Sequence, residues 1–189
     1  MADGTLKVGT ITTSSGSGTI TLGQSGETVD MANGTITLNS SMKMTPAWFV
    51  SSSSAQSISD NTDTKVTLDT ELFDTNNAFA SNKFTCPSGQ DGKYFVYASI
   101  DFILTSANDM KEVGIRFYKN GSAHASSFVN GYGNANFRRF VINSSMSISL
   151  AAGDYLELFG YQDSASGAAA EMRSNNGVTY FGGNRIIGA

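Results

Sequence analysis

The sequence predicts an all-β protein in which a slender stalk precedes a β-sandwich of about ten strands. Three observations carry this prediction. Apolar and polar residues alternate with period two in many short segments, which is typical of half-buried strands. Glycine, serine, threonine and asparagine are abundant, and they favour strands and turns over helices. None of the apolar segments shows the spacing of an amphipathic helix.

Composition narrows the class of protein before any motif is considered. Charged residues make up 15% of the chain, well below the roughly 25% of a typical soluble domain. The net charge of -4 argues against nucleic acid as a partner, because phosphates attract a surplus of Lys and Arg. The single cysteine, Cys86, excludes an internal disulfide. We expect neither a signal peptide nor membrane insertion, because the sequence shows no basic and apolar leader and no long apolar run.

The first 45 residues contain a short repeat. The motif Gly-Thr-Ile-Thr occurs three times, and short apolar pairs follow one another between the glycines. A strand with two apolar side chains on one face buries almost nothing in a single chain, so it must stack on other chains. Residues 1–45 are therefore predicted to form a trimeric β-stalk, and a disordered linker rich in Ser, Gly and Thr is the alternative. The residues expected at the stalk axis are Ile20, Leu22, Val29, Met31, Ile36 and Leu38.

Residues 46–189 are predicted to form the sandwich. Pro46 separates it from the stalk, because proline has no N–H group to donate to a strand pairing. Asn120 and Gly121, which follow Lys119, tolerate the positive φ angles of a tight turn. The predicted strands cover residues 46–50, 65–68, 71–73, 94–104, 113–118, 122–130, 137–150, 155–161 and 179–187.

The segment 94–104 is the central strand of this prediction. Its apolar parity is expected to face the core, so a charge placed there should disrupt the sandwich. The strand 137–150 is a candidate for a break at residues 143–145. Residues 167–170 could form a helical turn, but they lie in a polar stretch that we interpret as a loop. The residues of the apolar parity are Tyr94, Val96, Ala98, Ile100 and Phe102.

Candidates for catalysis each have a simpler structural interpretation. His124 is the only histidine and lies in a strand-like run without a nucleophile elbow, so we interpret it as a strand or interface residue. Cys86 is expected to be a small buried hydrophobe. Asp154 and Glu157 are three apart on a predicted strand and should point to opposite faces, which argues against a glycosidase pair. We therefore predict that the protein is not an enzyme.

Metal binding stays open at this point. Asp60, Asp63 and Asp69 offer oxygen atoms that suit calcium, but their spacing matches no known calcium loop. No cofactor is predicted, and no calcium ligands are assigned.

Five short motifs, in order, resemble a complement C1q/tumour necrosis factor jelly-roll domain over residues 46–189. The resemblance implies a jelly roll, and some heads of this kind bind calcium. The wording of the first 29 residues also resembles structural proteins of marine bacteriophages, which often end in such a head. The motifs are Phe84 to Pro87, Gly92 to Phe95, Lys119 to Gly121, Leu150 to Asp154 and Phe181 to Gly183.

The resembled fold also implies where a ligand would touch. Its last strand returns to the end at which the first strand enters, so the loops 105–111, 130–136 and 163–177 should lie at the opposite, distal tip. Loops on a rigid scaffold often carry binding residues, and aromatic and amide groups suit carbohydrate or protein surfaces. The alternative is ordinary turn chemistry. The predicted distal set is Tyr132, Asn134, Arg173 and Asn175.

These observations lead to a functional hypothesis. The protein is expected to be a homotrimeric, non-enzymatic phage fibre on the tail or the head surface, made in the host cytoplasm and located at the virion surface. Residues 1–45 would attach it to other virion proteins, and the head would contact a host glycan or protein. The first alternative is a capsid decoration protein without receptor binding. A polysaccharide-degrading spike enzyme ranks last, because no paired acids support it.

Overall fold

The structure is a computed structural model, and it describes residues 26, 42–105, 108–131, 137–174 and 177–186. The chain divides into two units, Met1–Thr37 and Leu38–Ala189, and the sandwich belongs to the second. All six predicted stalk residues lie outside the described residues, so the stalk and the boundary after residue 45 stay predictions.

The described part of the chain is built from strands. They follow one another at short spacing, as the alternation of apolar and polar residues predicts. The strands are β1 (Ala47–Ser51), β2 (Gln56–Ile58), β3 (Thr64–Lys65), β4 (Thr70–Asp74), β5 (Phe79–Ala80), β6 (Lys83–Thr85), β7 (Gly92–Ile103), β8 (Met110–Lys119), β9 (Ser122–Asn130), β10 (Arg139–Leu150), β11 (Tyr155–Ser164), β12 (Ala170–Met172) and β13 (Tyr180–Arg185).

Two antiparallel sheets pack face to face. Sheet A has the order β2-β12-β7-β13-β1-β4, and β10 pairs with β7 along its whole length. Sheet B has the order β5-β6-β11-β8-β9, and β3 also pairs with β11. Because strands distant in sequence are neighbours in both sheets, the connections cross between the sheets. The predicted all-β sandwich is confirmed.

The core lies between the two sheets, and β7 supplies its centre. Tyr94, Val96 and Ile100 are fully buried, which confirms the predicted inward parity of this strand. Trp48 of β1 stacks on Phe84 of β6 with ring centroids 3.8 Å apart, so the aromatic stack joins sheet A to sheet B. Burial of apolar area, worth about 25 cal/mol per Å², is the main stabilising contribution here.

The β8–β9 hairpin has the turn that the sequence predicts. Asn120 has φ of 52° and Gly121 has φ of 77°, so both central residues adopt the left-handed region. This backbone matches the right-handed twist of a two-residue hairpin. β9 begins at Ser122 and ends at Asn130, as predicted.

The predicted strand at residues 65–68 is wrong beyond Lys65. β3 ends there, and the next N–H groups find partners outside a regular ladder. Thr67 N donates to Gln56 Oε1 at 2.8 Å, and Leu68 N donates to Asn82 Oδ1 at 2.8 Å. Side-chain amides thus satisfy backbone donors that a neighbouring strand would otherwise satisfy.

Two further local predictions are wrong. The expected break at residues 143–145 does not occur, because β10 pairs continuously with β7 from Arg139 to Leu150. The predicted polar loop at residues 163–177 is interrupted, since Ala170 begins β12 and pairs with Ile58 of β2. In both places long-range pairing overrides a weak local preference. Searching the described residues for a helix long and apolar enough to cross a membrane finds none.

Candidate binding surfaces

The outer face of sheet A carries a group of aromatic side chains. They come from four neighbouring strands, β4, β1, β13 and β7, and two of them are well exposed: Phe73 at 47% and Phe95 at 41%. On β7 these rings belong to the parity that points away from the core. We call this group the aromatic patch; it consists of Phe49, Phe73, Phe95, Tyr97 and Tyr180.

The rings of the aromatic patch contact one another. The Phe49 centroid lies 6.3 Å from that of Phe73, 6.2 Å from Tyr97 and 5.2 Å from Tyr180. A Cβ atom added at Gly182 would lie 2.7 Å from the Tyr97 ring, so this glycine lets the ring lie flat on β13. Burial raises the pKa of the Tyr97 hydroxyl, and the negative charge of a deprotonated Tyr180 would add to this effect. The patch is therefore a continuous, mainly apolar surface.

The other half of the sheet A face is different in chemistry. Along β10, Asn143, Ser145 and Ser147 point outward and are exposed. A groove of about 420 Å³ separates the two halves, with Phe95 and Tyr97 on one wall and the β10 residues on the other. One face thus combines an aromatic half with a half whose outward side chains at residues 143–147 are small and polar.

An ion pair with a buried carboxylate lies on this face at the start of β10. Asp101 is fully buried although it is on the outward parity of β7. Arg139 covers it, with Nε 2.9 Å from Oδ1 and Nη2 2.7 Å from Oδ2. This bidentate hydrogen bond raises the pKa of Arg139, whose own side chain is 48% exposed. The pair fixes the start of β10 against β7, because paired guanidinium and carboxylate groups hold one geometry.

The three predicted loop regions meet at one end of the sandwich. Asp109 Oδ2 accepts from Ser166 N at 2.9 Å, which joins the first region to the third. Gly131 N donates to Lys111 O at 2.7 Å, which joins the second region to the first. Pro46 lies at the opposite end, where its carbonyl oxygen accepts from Arg185 N at 3.0 Å. Within the head, these loop flanks therefore lie away from the start of the first strand.

Of the predicted distal set, the structure describes Arg173 alone. Arg173 is partly buried at the edge of the loop end: its N donates to Asp101 O at 2.9 Å, and its carbonyl accepts from Thr179 Oγ1 at 2.7 Å. Tyr132, Asn134 and Asn175 lie outside the described residues and stay predictions.

Two of the candidates for catalysis, Cys86 and Asp154, are neighbours, since Cys86 N donates to Asp154 O at 2.8 Å. His124 lies on β9 and is exposed, so its predicted position in a strand is confirmed. Cys86 is buried, with Sγ 3.5 Å from the Tyr94 hydroxyl, and burial raises the pKa of this thiol. Glu157 is bound to Lys65 at 2.7 Å, and Asp154 to Lys119 at 2.8 Å. Each acid thus has its own basic partner.

The three candidate calcium ligands each have a different partner. Asp60 Oδ1 accepts from Ser164 N at 2.7 Å, whereas Asp69 Oδ1 accepts from Ser53 N at 2.7 Å. Asp63 Oδ2 instead forms a salt bridge with Arg116 Nη1 at 2.8 Å. Among the described residues, no group of three or more His, Cys, Asp or Glu side chains has the arrangement of a metal site.

Comparison with known proteins identifies the fold. The globular domain of zebrafish complement 1qA protein is similar with a TM-score of 0.50 and 16% identity, covering 75% of this chain and 97% of that chain. Murine APRIL is similar with a TM-score of 0.55 and 12% identity, covering 74% of this chain and 98% of that chain. No protein-family model and no curated protein matches the sequence. At these identities the likeness shows the fold alone, and it confirms the predicted C1q/TNF-like jelly roll.

Sequence reasoning did not identify the aromatic patch. Its signal is present in β7, where Phe95 and Tyr97 occupy the parity opposite to the core residues. Two large aromatic side chains on an outward parity indicate a covered surface, because exposed strands usually carry polar residues there. The contributions of Phe49, Phe73 and Tyr180 could not be predicted from the sequence, since they depend on which strands are neighbours.

Proposed function

We propose that the protein is a homotrimeric, non-enzymatic bacteriophage appendage whose jelly-roll head contacts the host cell surface. The aromatic patch is the observation that carries this proposal. Monomeric proteins rarely expose a continuous apolar surface of this kind, so a second copy of the chain is its proposed occupant.

The two unlike halves of sheet A favour a ring over a two-fold dimer. In a head-to-tail contact, a different surface of each copy meets its neighbour, and a closed ring follows when the rotation closes. The aromatic half would then pack against the small side chains along the β10 edge of the next copy. The repeated apolar pairs of residues 1–45 support three copies, because three strands around an axis bury every pair.

The proposed location is the virion surface. It rests on the resemblance of the first residues to structural proteins of marine bacteriophages. Residues 1–45 would bind other virion proteins. The loop end of the head, opposite Pro46, would then contact a glycan or a protein of the host.

The experiment uses the purified full-length chain. Light scattering should give a trimer at micromolar concentration, and fluorescently labelled trimer should bind host cells and compete with phage adsorption. A folded monomer would contradict the assembly. A trimer that binds no host cells, together with immunogold label lying flat on the capsid, would favour a decoration protein that packs only on other virion proteins.

A further inference from the structure

The outer face of sheet B holds a second aromatic arrangement, built on a glycine. Phe128 of β9 lies directly over Gly114 of β8: a Cβ atom added at Gly114 would lie 2.3 Å from the Phe128 ring. The ring therefore lies flat on the sheet, and Phe128 is 38% exposed. Tyr161 of β11 stands beside it, with centroids 5.5 Å apart and the ring planes at 76°. Phe128 thus forms the floor of a corner on this face, and Tyr161 forms its wall.

Arg116 completes the corner. Its Cζ atom lies 4.9 Å from the Phe128 centroid and 5.1 Å from that of Tyr161, so its positive charge contacts both rings. Nη1 donates to Asp63 Oδ2 at 2.8 Å, and the Tyr118 hydroxyl donates to the same oxygen at 2.6 Å. The guanidinium group is thus fixed in position before any ligand arrives.

This arrangement has an energetic cost. Arg116 Nε and Asp63 Oδ1 are buried and have no hydrogen-bond partner within the described part of the chain. An unsatisfied buried polar atom costs roughly 1–3 kcal/mol. Natural proteins contain few such atoms, and those present call for an explanation.

Polar groups line the side of the floor away from Arg116. Glu112, Asn130 and Asp163 each lie two residues along a strand from Gly114, Phe128 and Tyr161, and therefore on the same face. Asn130 Nδ2 donates to Glu112 Oε2 at 2.6 Å, and Lys111 pairs with Asp163 at 3.0 Å. The corner is thus bordered by carboxylate, amide and guanidinium groups, with no surplus of positive charge among these residues.

We propose that this corner is a binding site for a neutral saccharide, with the pyranose ring stacked on Phe128. The face of an aromatic ring is negative and attracts the C–H groups on the apolar side of a pyranose. Carboxylate and guanidinium groups carry paired acceptors and donors, which match neighbouring hydroxyls of a sugar. This proposal deepens the proposed host contact, on which its biological meaning rests, and places a ligand on the side of the head.

The charges decide between ligand classes. A phosphate or a sugar acid would meet the carboxylate of Glu112, and the positive charges of Lys111 and Arg116 are already paired with Asp163 and Asp63. An apolar peptide would leave these charges without water, which is unfavourable. A neutral polyol pairs with both kinds of group and avoids either penalty.

The test is titration of the full-length protein with methyl glycosides of glucose, galactose and mannose, followed by saturation-transfer NMR. At least one glycoside should bind, and methyl glucuronide should bind more weakly. Phe128→Ala should weaken binding about tenfold or more, corresponding to about 1.4 kcal/mol. Gly114→Ala should have a similar effect, because the added methyl group displaces the ring while keeping it. Ser126→Ala, on the same face of β9, is the matched control and should bind normally.

Several results would overturn the proposal. These are binding of none of the three glycosides, preference for the glucuronide, or equal binding by Phe128→Ala, whose side chain is 38% exposed. Loss of cell binding in Phe128→Ala without any glycoside binding would indicate a protein partner instead. Glycoside binding by a protein that binds no host cells would contradict the proposed function and leave this site intact.

Discussion

The two outer faces of the sandwich both carry aromatic side chains but hold them differently. On sheet A, the rings of Phe49, Tyr97 and Tyr180 contact chiefly one another. On sheet B, the Tyr118 hydroxyl donates to Asp63 at 2.6 Å and the Tyr161 hydroxyl donates to Asn61 at 2.6 Å. Both faces thus carry aromatic rings. They differ in that the sheet B tyrosines donate hydrogen bonds to carboxylate and amide oxygens.

This difference indicates what each face can bind. Rings that contact chiefly one another gain most by contact with another apolar surface, as in the centre of a protein interface. Rings surrounded by fixed polar groups suit a small polar ligand, because such sites combine an apolar wall with a few placed donors and acceptors. Self-association is thus expected on sheet A and ligand binding on sheet B.

The largest effect on stability is expected from a charge in the core between the sheets, because both outer faces depend on that core. Ile100→Asp places a charge at a fully buried position, and we expect a loss of roughly 4 kcal/mol or more, enough to unfold the domain. Circular dichroism during thermal unfolding measures this. Leu72→Asp is the control, since Leu72 is 61% exposed on β4 and its variant should melt normally. A normal melting temperature for Ile100→Asp would show that the parity of β7 is reversed.

The next prediction separates the two faces directly. Phe95→Ser combined with Tyr97→Ser should weaken self-association roughly a hundredfold or more, because each lost ring removes about 1.5–3 kcal/mol of burial. Phe128→Ser combined with Tyr161→Ser, the matched pair on sheet B, should leave the oligomer intact. Sedimentation equilibrium measures both. Dissociation by the sheet B pair alone would reverse our assignment of the faces.

A smaller effect is expected from the ion pairs of the two faces. Arg139→Ala leaves the fully buried Asp101 carboxylate without its partner. The free energy of unfolding should fall because this carboxylate is fully buried, but by less than for a fully enclosed pair, since Arg139 is itself half exposed. Asp63→Asn on sheet B, where both partners are partly exposed, should cost about 1 kcal/mol or less. Urea unfolding of both variants gives the comparison, and equal costs would show that water reaches Asp101.

The smallest effect concerns pH and the end of the sandwich shared by both sheets. The hydrogen bond from Lys119, followed by that from Asn120, lowers the pKa of Asp154 well below its ordinary value of 3.8. A lowered pKa in the folded state stabilises the protein above that ordinary value, and this stabilisation is lost as pH falls towards the folded pKa. Asp154→Asn should therefore lower the melting temperature slightly at pH 7 and by less at pH 2. An equal decrease at both pH values would exclude a contribution from the ionised carboxylate.

Much of the fold was predictable because its signal is local. Alternation with period two identified β7 and β8, and it placed Ile100 in the core correctly, whereas β9 was identified as the partner that follows the hairpin turn. Asn120 and Gly121 identified the hairpin turn, since few residues adopt positive φ without strain. The irregular stretch after Lys65 was not predictable, because the amides of Gln56 and Asn82 that satisfy its backbone come from elsewhere in the chain.

The sequence by itself determined the all-β class, the inward parity of the long strands and the C1q/TNF-like resemblance. Tertiary structure decided which side chains meet. The aromatic patch unites four strands, and Arg116 reaches Phe128 and Tyr161 only because β9, β8 and β11 are neighbours. Side-chain alternation is a property of each strand alone, whereas strand order results from pairing between distant segments. Surfaces built across strands are therefore decided by the fold.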